Sequence, residues 1–219
     1  MRVTSVALCA LLVAAAPASV GAQGAAPVAC ERRDAALSGG IGRAAVVAFT
    51  GSVYGEHVCA LVANLAGDGF AATIATPAGD EPAVTAAVTA GTGATLAVGP
   101  FGVFAGPAGA ADAPDAVAVG PFVVAPGGTF GTFHGDTTEV PRVVLAFAGS
   151  RVVLIRTSAV TLLDLAHALR EQPDLFGSDA AERAVVLASG DAATMRVRTV
   201  DGMLGAPVAT ARALLIKQR

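Results

Sequence analysis

The chain has 219 residues, 54% of them hydrophobic but only 5% aromatic, and a formal net charge of −3. That charge, with Lys217 as the only lysine and no run of basic residues, excludes a nucleic-acid partner and adhesion to an anionic membrane. The length fits one domain that buries about two-thirds of its unfolded surface, and beyond the N-terminus no apolar run approaches the ~18 residues of a membrane span.

Met1-Arg2, the apolar run 6–16 and the small residues Val20-Gly21-Ala22 read as a secretory signal peptide over 1–22. The expected mature domain is 23–219, placed outside the cell or in a periplasm. It retains two cysteines, Cys30 and Cys59, which in an exported chain read as a disulfide. Closing that loop stabilises the fold by roughly 3–4 kcal/mol in the chain-entropy model. His57 lies near Cys59, but the ligand count is too low for a metal site, so neither metal nor cofactor is expected.

Residues 44–50 and 56–65 read as strands, and Gly67-Asp68-Gly69 as the turn of a hairpin joining 56–65 to 70–76. Residues 83–89 fit a short helix or a strand. Segments 95–104 and 116–124 each run apolar, then Gly-Pro-Phe, then apolar; a proline there implies an edge or a bulge. Residues 126–136, PGGTFGTFHGD, form a glycine-rich loop.

Val143–Phe147 and Arg151–Arg156 are β-branched runs around Ala148-Gly149-Ser150, a hairpin in which Gly149 can take the positive φ of a tight turn. Thr161 caps a helix over 162–170, with Asp164 completing a capping box. Leu162, Leu165, Ala166 and Leu169 share its apolar face, His167 lies on the opposite, solvated side, and Gln172-Pro173 ends it. Strand 184–188, the polar loop Ser189-Gly190-Asp191-Ala192 and strand 194–200 follow. The expected class is α+β, a mixed β-sheet core with few helices.

This order resembles the C-terminal half of the phosphodiester glycosidase family, which shows a Pro-Arg opening a hairpin, a Thr-Leu-x-x-Leu-Ala helix and a Leu-Asp-Gly-Gly-x-Ser loop. The matching residues are Pro141-Arg142, Thr161 to Ala166, and Leu187 to Ala192. Val98-Gly99-Pro100-Phe101 falls where the family carries Asn-Gly-Gly-Phe, and Tyr54-Gly55 resembles its short bacterial members. The resemblance implies an exported hydrolase that cleaves or binds a sugar linked through a phosphodiester, with a glycan or sugar-phosphodiester as its partner.

It also implies a site. Arg142 would grip the phosphodiester, since a planar guanidinium donates two parallel hydrogen bonds. Ser189, Gly190 and Gly99 would line the ligand, the glycines letting the backbone approach it closely. Ala188 stands at the family's aspartate position, Ala192 at its serine, Val98 at its asparagine and Pro100 at a glycine. Glycoside cleavage normally uses two carboxylates, so activity is expected to be reduced or lost. The remaining catalytic candidates are Asp191, which could reach the pocket or cap its own turn, and His134, the one nearby base titrating near neutrality. A non-catalytic envelope or secreted binding protein on the same fold is the alternative.

Overall fold

The computed structural model describes residues 30–66, 69–78, 82–99, 102–109, 115–131 and 136–219; the expected signal peptide lies outside them. In chain order the strands are β1 (Arg33–Ala36), β2 (Gly42–Thr50), β3 (His57–Ala66), β4 (Phe70–Ala75), β5 (Val84–Ala87) and β6 (Ala94–Gly99). Then come β7 (Gly102–Pro107), β8 (Ala116–Val119), β9 (Phe122–Ala125), β10 (Thr129–Phe130), β11 (Val140–Ala148) and β12 (Arg151–Val160). Helix α1 (Leu162–Glu171) precedes β13 (Arg183–Ser189), β14 (Met195–Thr199), β15 (Gly202–Gly205) and β16 (Ala213–Gln218).

Eight strands form a central sheet in the order β1-β2-β3-β12-β11-β13-β9-β10. A five-stranded sheet, β15-β14-β5-β16-β4, and a three-stranded sheet, β7-β6-β8, complete the fold. Strands dominate, with a single α-helix among the described residues. Every pairing among those residues is antiparallel, which corrects the expected mixed sheet.

The central sheet is buried on both faces. Val144 and Ala146 of β11 join Leu162, Leu165 and Leu169 of α1 in one core. Val143 and Leu145, the alternate residues, join Val84, Leu96 and Leu214 of the smaller sheets in the other. Successive strand residues point to opposite faces, so a strand covered on both sides reads as an unbroken apolar run. That is why β11, β12 and β13 stood out in the sequence.

The β11–β12 hairpin closes at Ala148 opposite Arg151, with Gly149 at φ 56° as expected. Thr161 Oγ1 accepts from the Asp164 backbone N–H at 3.2 Å, the expected cap. His167 departs from expectation. Its ring lies 4.6 Å from that of Phe130, because β10 folds out of the glycine-rich loop onto that side of the helix. Its Nδ1 is also 2.8 Å from Glu171 Oε1.

Two pairings also differ. Residues 70–76 do not form a hairpin with 56–65: β3 is flanked by β2 and β12, so β4 pairs with β16 in the five-stranded sheet. The second Gly-Pro-Phe segment is the junction of two strands, and Pro100 and Phe101 of the first lie outside the described residues. Gly99 opposite Gly102 closes the β6–β7 hairpin, and Gly120-Pro121 carries the chain from the three-stranded sheet into the central one. There Gly120 N donates to Val186 O at 3.0 Å and Val186 N to Pro121 O at 3.1 Å. A Cβ on Gly120 would lie 3.0 Å from Val186 Cβ, so this close approach favours glycine. Residues 83–89, open to either reading, contain β5.

Candidate functional site

The start of β11 and the end of β13 meet where Arg142 lies opposite Ser189. Arg142 is 4% exposed. Its Nη1 donates to Ser189 Oγ at 3.3 Å, Nη2 to Thr138 O at 2.9 Å, and Nε to Val160 O at 3.2 Å. Asp136 Oδ2 lies 3.6 Å from Nη2. Burial pulls the guanidinium below its ordinary pKa, against the opposing pull of Asp136. Burial alone would raise Asp136, but hydrogen bonds from Thr138 and the Arg142 charge bring it below its usual value. The resemblance sets Arg142 and Ser189 in one site, and here they are neighbours on paired strands. The guanidinium itself is turned inward as a brace between β11, the end of β12 and the turn after β13, which contrasts with the ligand grip expected of it.

Beyond Ser189, Gly190 takes φ 64° and opens a 3-10 turn, Gly190–Ala192. Asp191 on this turn is exposed and makes no hydrogen bond among the described residues, so it does not cap its own turn. Gly99 is exposed at the β6–β7 turn of the three-stranded sheet. No strand pairing or hydrogen bond among the described residues joins it to Arg142. His134 lies outside the described residues.

The other face of the same sheet end holds a residue the sequence reading missed. Val143 stands opposite Arg156 on one side and Ala188 on the other, so all three side chains share a face. Arg156 is 5% exposed; Nε donates to Ala193 O at 3.2 Å, while Nη1 is enclosed without a partner. Burial lowers its pKa. Ala188 and Val98 are packed in one apolar core with Val143 and Leu187. The signal for Arg156 was available in the sequence: a lone cation inside the buried run VVLIRT.

A pair of carboxyl groups lies at the N-terminus of α1. Asp164, fully buried, accepts from Val53 N at 2.6 Å and Tyr54 N at 2.9 Å, tying the β2–β3 loop to the helix. Glu56 points into the same place: a Cβ added at Gly51 would touch both carboxyl groups, which gives Gly51 its identity. Both Glu56 oxygens are enclosed without a hydrogen-bond donor. Burial first, and then Asp164, push Glu56 above its usual pKa. Burial would also raise Asp164, but Glu56 and the Val53 and Tyr54 N–H groups outweigh it, and Asp164 falls below its usual value. The two carboxyl groups lie against each other, so ionisation of one opposes ionisation of the other.

Cys30 and Cys59 form a disulfide with Cα atoms 5.4 Å apart, and Cys59 N donates to Ser158 Oγ at 3.0 Å at this same sheet end. Among the described residues no cluster of three or more His, Cys, Asp or Glu could hold a metal ion, and no helix is long and apolar enough to cross a membrane.

No protein-family model matches the chain, and no curated protein matches it by sequence. Solved structures do. The catalytic domain of zebrafish N-acetylglucosamine-1-phosphodiester alpha-N-acetylglucosaminidase, auto-inhibited by its pro-peptide, aligns at TM-score 0.58 and 10% identity over 86% of this chain and 88% of that one. This chain shares the fold of that catalytic domain. A hypothetical protein from Synechocystis aligns at TM-score 0.51 and 9% identity, covering 80% of this chain and 62% of its own. Identities this low establish the shared fold alone.

Proposed function

We propose that this chain is an exported binding protein on a phosphodiester glycosidase fold. It retains contact with a sugar-phosphodiester ligand and has lost its hydrolysis. The observation that carries the reading is the row Arg156–Val143–Ala188: a buried cation shares its face with Ala188, which the resemblance sets at the carboxylate position and which is packed in an apolar core. Cleaving a glycosidic bond normally needs an acid and a second carboxylate on either side of it. The polar groups left at this sheet end, Ser189, Asp191 and Asp136, can recognise a ligand through hydrogen bonds and charge. Arg142 acts through Ser189, holding the turn Gly190–Ala192 in place. Export agrees with the Cys30–Cys59 disulfide and with the expected signal peptide over 1–22.

Calorimetric titration with N-acetylglucosamine-1-phosphodiesters tests the binding half. A saturable heat that weakens about tenfold in Asp191→Ala, a surface change, and in Ser189→Ala, which removes the half-buried acceptor of Arg142, is expected. Absence of binding at any pH, or binding indifferent to both changes, refutes the reading.

A further inference from the structure

A cavity of about 540 Å³ is lined by residues of β1, β2, β3 and the 3-10 turn Pro173–Phe176. It lies at the opposite end of the sheet from Arg142, since Arg151 and Ala66 are paired here while Arg142 pairs with Thr157. Strands rise about 3.3 Å per residue, so the two ends are about 20 Å apart. The size is in the range that accepts small organic ligands.

The cavity has an apolar floor and a basic rim. The lining includes half-buried Val47 over the core residue Val62, and half-buried Leu175 over the core residue Phe176. The rim carries Arg32, Arg33, Arg43 and Arg151 against Asp34 and Asp174, a local cationic excess in a chain of net charge −3. Two of these arginines are already neutralised: Arg43 Nη2 lies 2.8 Å from Asp34 Oδ1, and Arg33 Nη2 2.8 Å from Glu31 Oε2. Arg32 and Arg151 form no ion pair among the described residues.

Arg151 is also held in place. Its Nη1 donates to Asn64 Oδ1 at 3.1 Å. Asn64, only 7% exposed, is itself fixed by Nδ2, which donates to the carbonyls of Phe176 and Gly177. A buried amide used at both ends sets the guanidinium in one orientation and leaves its other N–H donors available. Such ordering before binding removes part of the entropy cost of capturing an anion.

We propose that this groove binds an amphipathic organic anion, its acidic head on Arg151 and Arg32 and its apolar body over Val47 and Val62 against Phe176. The inference is independent of the reading of the Arg142 end. The test is displacement of bound anilinonaphthalene sulfonate from the full chain by laurate, with dodecyltrimethylammonium and inorganic phosphate as controls. Laurate should displace the dye at one saturable site; the cationic detergent and phosphate should not. Arg151→Ala and Arg32→Ala, both at the surface, should each weaken laurate by about tenfold. Val47→Asp should abolish binding. Equal displacement by the cationic detergent, affinity unchanged in the double arginine variant, or no saturable binding would overturn the proposal. So would a dimer that dissociates on the same substitutions, which would give this face to a second copy of the chain.

Discussion

Arg156 and Ala188 face the same side of the central sheet, separated only by the strand that carries Val143. With neighbouring strands about 4.8 Å apart, their Cα atoms lie about 10 Å from one another, within reach of an arginine and an aspartate. What remains is a buried guanidinium with one nitrogen unpartnered and an apolar neighbour where an acid would pair with it. A buried charge without its partner is a liability that packing alone does not require.

Replacing Arg156 by methionine should therefore not destabilise the fold. Exchange of buried charge for an apolar side chain of similar length is often neutral, or stabilising by about 1–4 kcal/mol. Urea denaturation of the Arg156→Met variant measures this directly. A loss of several kcal/mol would mean that the guanidinium is structurally satisfied after all.

Introducing a carboxylate opposite it should reveal the vacant partnership. Ala188→Asp should be tolerated beside Arg156 but cost about 3–5 kcal/mol more in the Arg156→Met background, where the buried charge has no partner. A double-mutant cycle reads that coupling. Additive effects would place the two side chains out of reach of each other.

The Glu56–Asp164 pair sets a pH profile whose sign follows from the two shifts. Glu56 is raised above 4.5, so the native state holds a proton that the unfolded chain releases first, and stability falls as pH rises from about 4.5 through the raised value. Asp164 is lowered below 3.8, so its contribution is present above that value and is lost as pH falls. Glu56→Gln should remove the loss on the rising side and leave the acid-side loss in place. Thermal unfolding across pH 3–8 distinguishes the two limbs, and an unchanged rising limb would show that Glu56 is not the group responsible.

Reducing the Cys30–Cys59 disulfide should lower stability by about 3–4 kcal/mol, the chain-entropy value for residues 29 apart in sequence. Denaturation with and without reductant checks it. Identical midpoints would show that the bond constrains nothing beyond what the β1–β2–β3 pairing already fixes.

What could be read from the sequence was local in origin. The β11–β12 hairpin, α1 with its Thr161 cap and the turn after β13 follow from apolar runs, a glycine at a turn and a capping residue, each visible within a few positions. The β3–β4 pairing failed because nothing near Gly67-Asp68-Gly69 reveals that both edges of β3 are taken by β2 and β12. The Gly-Pro-Phe segments read as an edge or a bulge because a proline marks a break without saying which sheet the chain enters next. Asp164 was legible as a capping residue, but its actual partners, the Val53 and Tyr54 N–H groups, lie about 110 residues away and leave no local trace. Arg142 was correctly set beside Ser189, yet its inward orientation depends on Val160 and Thr138 carbonyls that no motif records.

Binding without cleavage is the function proposed for the Arg142 end of the central sheet. Release of sugar from a chromogenic N-acetylglucosamine phosphodiester, measured with the full chain in molar excess over substrate across pH 4–8, tests it most directly. Release no faster than the uncatalysed background is expected at every pH. Release above background that disappears in Asp191→Ala would contradict it and return the chain to the hydrolases.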